Sequence, residues 1–125
     1  MTEQLSPLAL QALAVVKESG AIIGANHAHP HKGRIDLVTE TDIAVEAFLK
    51  ERLATLAPQA GFLAEESAED LSLPDTCWII DPVDGTTNFA HGLPLTVTSV
   101  AYRLNGEIVL GIVNAPLLRE CFIAE

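Results

Sequence analysis

Two carboxylates stand three positions apart at the end of an apolar run. Cys77-Trp78-Ile79-Ile80 leads into Asp81-Pro82-Val83-Asp84, and Gly85-Thr86-Thr87-Asn88 follows at once. The apolar residues predict a buried strand. A strand that delivers two carboxylates to its exit makes a site for a hard divalent cation. Such ions take oxygen ligands, and Mg²⁺ keeps waters and open positions for substrate phosphate. The small residues and hydroxyls that follow suit a turn into a helix start, where free backbone N–H groups meet an anion. Metal and phosphate cradle are therefore expected within one short segment. A plain strand–turn–helix corner, with Asp84-Gly85 as the turn and Thr86 or Thr87 as N-cap, explains part of this pattern. It does not explain Asp81 directly after four apolar residues, nor Pro82 locking the chain between the acids.

The stretch from Trp78 to Pro94 resembles the first signature of the inositol monophosphatase family, Mg²⁺-dependent, lithium-sensitive phosphomonoesterases. Trp78, Ile80, Asp81, Pro82, Asp84, Gly85, Thr86, Asn88 and Phe89 carry the resemblance. His91-Gly92-Leu93-Pro94 favours this branch over the fructose bisphosphatase and nucleotide phosphatase branches. A competing pattern is the D-x-D-G-T box of phosphatases that form an aspartyl-phosphate. Its acids are two apart and share a strand face; here they are three apart, which argues against it.

Gly61-Phe62-Leu63-Ala64-Glu65-Glu66-Ser67 repeats the device of an apolar strand ending in acids. A solvated strand end is the commoner meaning of such a pair. The resemblance makes Glu65 a metal ligand and base, and Glu66 a supporting acid, with Ala64 where the family usually has Gly. Asp36 to Asp42 looks like the family's segment leading into its second helix, which Thr39 or Thr41 can cap. Capping alone would account for Asp42; the resemblance adds a bond to the hydroxyl of Thr86 beside the nucleophilic water. His27, His29 and His31 alternate between Asn26 and Lys32 and could bind a transition metal. No Cys or carboxylate joins them, so a flexible polar loop is the preferred reading. Lys32 is the candidate for a lysine that the family carries on a mobile loop.

The elements that must position these residues follow from spacing. Ser6-Pro7 is a helix start, with Leu5, Leu8, Ala9, Ala12, Leu13 and Val16 recurring at helical intervals and an end expected near Gly20 or Gly24. Val45, Phe48, Leu49, Leu53 and Leu56 form the stripe of a second helix, which Pro58 follows. Leu95 to Leu104 and Glu107 to Val113 are strands joined by Asn105-Gly106, a type I′ hairpin signal, and Cys121 to Ala124 starts another after a turn at Ala115-Pro116. The fold class is α+β, helices packed on an antiparallel sheet.

The 125 residues suffice for a core, and 49% hydrophobic content is ordinary for a globular chain. Seven Lys and Arg against 17 Asp and Glu give a net charge of −10. Nucleic acid is thus an unfavourable partner, and a phosphate-ester substrate needs cations to draw it in. Cys77 and Cys121 lie in apolar runs and read as core thiols of a reducing, cytoplasmic compartment rather than a disulfide. No signal peptide is evident and no apolar run approaches a membrane span, so no membrane partner is expected.

The resemblance implies that residues 1–125 are the N-terminal portion of a layered αβαβα sandwich, with two or more Mg²⁺ ions per site and Mn²⁺ as a substitute. Glu65, Asp81 and the Val83 carbonyl would hold the first ion. Asp81 would bridge to a second, which also takes Asp84 and an Asp from the family's later W-D-x-A-A-G segment, absent from this sequence. Backbone N–H groups of Gly85 and Thr86, with Asp84, would bind substrate, and Thr86 and Glu65 would orient a water for in-line attack. The implied reaction is hydrolysis of myo-inositol monophosphate, by a homodimer in the complete protein. The rival expectation is a non-catalytic fragment or subunit whose exposed sheet edge pairs with another chain.

Overall fold

The computed structural model describes residues 4–28, 34–64, 74–86 and 93–125, excluding the side chains of residues 27, 28 and 34–37. Ser6 caps α1 (Pro7–Ala28): its Oγ accepts the Ala9 N–H at 3.1 Å, and Pro7 fills the first helical position, where its missing N–H costs nothing. Glu125 closes over the same cap, its carboxylate accepting from the Ser6 N–H at 2.8 Å and from the Ser6 hydroxyl. These two bonds hold the Glu125 carboxyl below its ordinary range.

The helix runs through Gly20 and Gly24, where the sequence predicts its end. Gly20 serves packing instead: a Cβ there would stand 2.8 Å from Pro116 Cβ, closer than real Cβ atoms come. Asn26 to Ala28 are still helical rather than loop. The Asn26 amide donates to Thr41 Oγ at 2.6 Å, tying α1 to α2 (Arg34–Leu56). Because α2 starts at Arg34, Thr39 and Thr41 lie inside it and neither is the N-cap. Thr41 is buried at the helix contact. Val45, Leu49 and Leu53 are fully buried, as the stripe predicts, each contributing about 1.5–3 kcal/mol on burial. Pro7–Asn26 is long and apolar enough to cross a bilayer, contrary to the expectation that no run approaches that length. In this fold Ala9, Ala12, Val16 and Ile23 on that helix are fully buried in the core.

Five strands form one sheet in chain order: β1 (Gly61–Ala64), β2 (Cys77–Asp84), β3 (Val97–Leu104), β4 (Glu107–Ala115) and β5 (Glu120–Ala124). Asn105 and Gly106 take φ of 51° and 86°, the left-handed pair of a type I′ turn. β2 to β5 pair antiparallel, but β1 runs parallel to β2, so the sheet is mixed rather than wholly antiparallel. A four-residue strand carries no signal of its direction in its own sequence. Trp78, Ile80, Val100, Tyr102, Leu110 and Ile112 face the helices and build the core with them. Trp78 and Tyr102 are directly opposed in register, their ring centroids 4.4 Å apart. The opposite face is open and apolar: Ile79 and Ala101 are half-buried, Val113 is 38% exposed and Phe122 is 61% exposed. Both cysteines are free thiols, and burial pushes that of Cys77 upward despite Arg103.

Candidate metal and phosphate site

β2 continues past the apolar run and includes both acids. Asp81 pairs with Ser99 and Asp84 with Val97, so three steps along β2 match two along β3. The extra residue is a bulge. Pro82 and Val83 share the place opposite Thr98, and all three are buried on the helix side. Pro82 has no N–H for a ladder, and a bulge is one of the few places in a sheet that tolerates it. The Thr98 hydroxyl donates to the Pro82 carbonyl at 2.8 Å, satisfying an acceptor the ladder leaves free.

The bulge decides the geometry of the acids. Ser99 and Val97 are two apart and share the open face, so their partners Asp81 and Asp84 share it too. The spacing of three therefore does not separate the carboxylates, as an unbroken strand would. Sharing a face, the two acids are not distinguished by spacing alone from those of the aspartyl-phosphate box. Asp81 is half-buried and Asp84 exposed at the strand exit.

Gly85 follows at φ 85°, in the left-handed region that costs a side chain about 1–2 kcal/mol. Thr86 then has helical backbone. Strand, acids, glycine turn and hydroxyl residue thus succeed one another without a break. Asp42 lies half-buried inside α2, which packs on β2 from the helix side. β1 ends with Ala64 abreast of Ile80, one residue before Asp81. Glu65 and Glu66 lie outside the described residues, as do Lys32, Asn88, Phe89, His91, Gly92, His29, His31 and the side chain of His27. Among the described residues no three His, Cys, Asp or Glu side chains converge.

Beside Asp81 the open face forms a trough of about 500 Å³. Leu63, Ile79, Ala101 and Val113 are among its walls, and among the described residues Asp81 and Ser99 are its only polar ones. Sequence reasoning passed over Thr98, which holds the bulge. The available signal was a hydroxyl on the buried side of an otherwise apolar strand.

The whole chain, residues 1–125, matches the model of the inositol monophosphatase family. The chain belongs to the inositol monophosphatase family. It is 44% identical over 121 residues to an inositol monophosphatase of Dictyostelium discoideum, covering 90% of this chain and 44% of that protein. It is 34% identical over 127 residues to the Nus factor SuhB of Salmonella typhimurium, covering 96% of this chain and 48% of that one. The structure superposes on an IMPase from Thermotoga maritima with a TM-score of 0.77 at 34% identity, covering 91% of this chain and 46% of the other. The chain therefore spans about half the length of these inositol monophosphatase family relatives. Their fold, two helices on a mixed five-stranded sheet over this half, is the fold seen here. The family is one of phosphatases, generally metal-dependent, and its members carry more than one functional name. The donor set at β2 fits such a metal: two carboxylates on one face are the hard oxygen ligands that Mg²⁺ takes.

Proposed function

We propose that the complete protein is a Mg²⁺-dependent phosphomonoesterase acting on a small phosphate monoester, with myo-inositol monophosphate as the substrate. The observation that carries this reading is the bulge, which sets Asp81 and Asp84 on one face immediately before a left-handed glycine and a helical threonine. Asp81 would bridge two ions, with Glu65 and the Val83 carbonyl on the first and Asp84 on the second. Bound Mg²⁺ supplies charge stabilisation for the phosphoryl oxygens and favours deprotonation of a nucleophilic water.

The chain's own groups do the rest. The N–H groups of Gly85 and Thr86 donate to phosphate oxygens, which the absence of a side chain at Gly85 lets approach closely. The Thr86 hydroxyl orients the attacking water, Glu65 accepts its proton, and Asp42 holds the Thr86 hydroxyl in place. Asp84 orients the substrate at the exposed end of the strand. No phosphorylated side chain is needed. The surrounding protein is cytoplasmic and dimeric in this reading.

Phosphate release from myo-inositol monophosphate by the complete protein, with and without Mg²⁺, tests the proposal. The expected result is turnover that needs Mg²⁺ and falls more with Asp81→Asn than with Asp84→Asn. Turnover indifferent to Mg²⁺, or retained by Asp81→Asn at saturating Mg²⁺, would overturn it.

A second reading has its own observation. The open sheet face, with Phe122 61% exposed, is apolar surface of the kind that mediates association. The 125-residue polypeptide by itself would then act through contact with another chain rather than by catalysis.

A further inference from the structure

A second cleft, of about 590 Å³, lies on the other side of the molecule from the sheet's open face. It runs between α1 and the turn that joins β4 to β5, with Lys17 and Gly20 on one wall and Asn114, Arg119 and Cys121 on the other. Its existence depends on Gly20. A Cβ there would stand 2.8 Å from Pro116 Cβ and 3.0 Å from the Asn114 amide nitrogen, so a side chain would press into the cleft wall.

The charges are the notable feature. The protein carries only seven Lys and Arg on a net charge of −10. Of the cations whose side chains are described, Lys50 pairs with Glu46 and Arg52 with Glu18, while Arg103 donates to the Pro74 carbonyl. Lys17 and Arg119 make no ion pair among the described residues, and both line this cleft. Asn114 is 95% buried and lines the cleft. Arg119 sits at φ 56°, a conformation costly for a side chain, held by its N–H donating to the Pro116 carbonyl at 3.2 Å. Strain of this kind persists where the surroundings impose it and often marks a used position. Among the described residues Glu120 is the one acid on the rim, so these side chains leave the cleft with a net positive charge. Cys121 adds none: burial pushes its thiol upward, Lys17 opposing only in part.

We propose that this cleft binds a phosphate group, through the Arg119 guanidinium, the Lys17 ammonium and the Asn114 amide. A guanidinium fork, an ammonium and an amide NH₂ are together suited to a tetrahedral oxyanion. The cleft is larger than inorganic phosphate and has room for the remainder of a phosphorylated small molecule. This site lies at the same end of the sheet as Asp81 and Asp84, since Asn114 pairs with Thr98, but two strands away and on the helix side rather than the open face, where two carboxylates repel a phosphate unless cations are bound. A phosphate held at the cleft joins α1 to the β4–β5 turn and so couples ligand to the stability of the sheet edge.

The test is calorimetric titration of the protein in EDTA, with inorganic phosphate in one arm and glycerol 2-phosphate in the other. EDTA removes divalent cations, so the aspartate site takes no phosphate. The wild type is expected to bind, and Asp81→Asn to bind equally. Lys17→Gln with Arg119→Gln should weaken binding about tenfold or more, from the loss of two charge-assisted contacts. Asn114→Asp, which keeps the shape and adds an anion, should abolish it. Both cations are exposed, so the double variant should keep the wild-type far-ultraviolet circular dichroism. Binding in both arms indicates recognition of the phosphate alone; tighter binding of the ester indicates that the cleft also contacts its alcohol. No binding by the wild type in either arm, or binding that survives the double variant and Asn114→Asp, would overturn the proposal.

Discussion

Thr96 and Thr98 are both fully buried, two residues apart on the helix side of β3 and the segment leading into it. The same substitution at each should have opposite effects. The Thr98 hydroxyl donates to the Pro82 carbonyl at 2.8 Å and so closes the bulge. Thr98→Val keeps the shape but leaves that carbonyl buried and unpaired, at a cost of about 1–3 kcal/mol. The Thr96 hydroxyl is buried with no hydrogen-bond partner among the described residues. Thr96→Val removes a polar group already desolvated without return, and should be neutral or stabilising by up to about 1–3 kcal/mol. With a urea m-value of about 1–3 kcal/mol/M, a loss of 2 kcal/mol lowers the unfolding midpoint by about 1 M. Urea unfolding of the two variants beside the wild type, followed by circular dichroism, is the assay. Thr98→Val should also weaken divalent-cation binding, because the bulge it holds is what puts Asp81 and Asp84 on one face. Equal midpoint shifts for the two variants, or a Thr98→Val loss below about 0.5 kcal/mol, would refute the reasoning.

Gly20→Ala should destabilise by about 1 kcal/mol or more, since overpacking against Pro116 outweighs the helix-propensity gain, whereas Gly24→Ala, which meets nothing within 4 Å, should stabilise by about 0.5–1 kcal/mol. Thermal unfolding of both variants checks the contrast. Thr86→Ala in the complete protein should lower kcat by about 10²–10⁴ with little change in apparent Mg²⁺ affinity, because its hydroxyl orients water rather than holding metal. Kinetics over a Mg²⁺ titration would show the opposite split if Thr86 belonged to the metal ligands. Phe122→Ser with Val113→Thr should reduce concentration-dependent self-association of the 125-residue polypeptide in sedimentation velocity, since both side chains lie on the open sheet face.

What was legible in the sequence was what local chemistry dictates. Ser6-Pro7 predicted the start of α1, the Val45–Leu53 stripe predicted the buried face of α2, and Asn105-Gly106 predicted the hairpin. Each signal acts within a few residues. What was not legible depended on tertiary contact. Gly20 looked like a helix end and proved to be the point where the Pro116 turn approaches α1. Thr39 and Thr41 looked like caps, but helix–helix contact draws α2 back to Arg34, with Thr41 buried. The direction of β1 is set by its neighbour, not by its four residues. The candidate site was legible in its residue types and not in its geometry. Counting positions from Asp81 to Asp84 gives opposite faces; the bulge, tied by a threonine one strand away, gives the same face.

Titration calorimetry with Mn²⁺ on the 125-residue polypeptide tests that geometry most directly, because it needs neither turnover nor the remainder of the family's length. Weak, saturable binding is expected for the wild type, with a loss of about tenfold or more in Asp81→Asn and a smaller loss in Asp84→Asn, because Asp81 would contact both ions and Asp84 one. Superimposable isotherms for the wild type and Asp81→Asn would contradict it, and would mean that the two aspartates on the open face of β2 do not form a metal site.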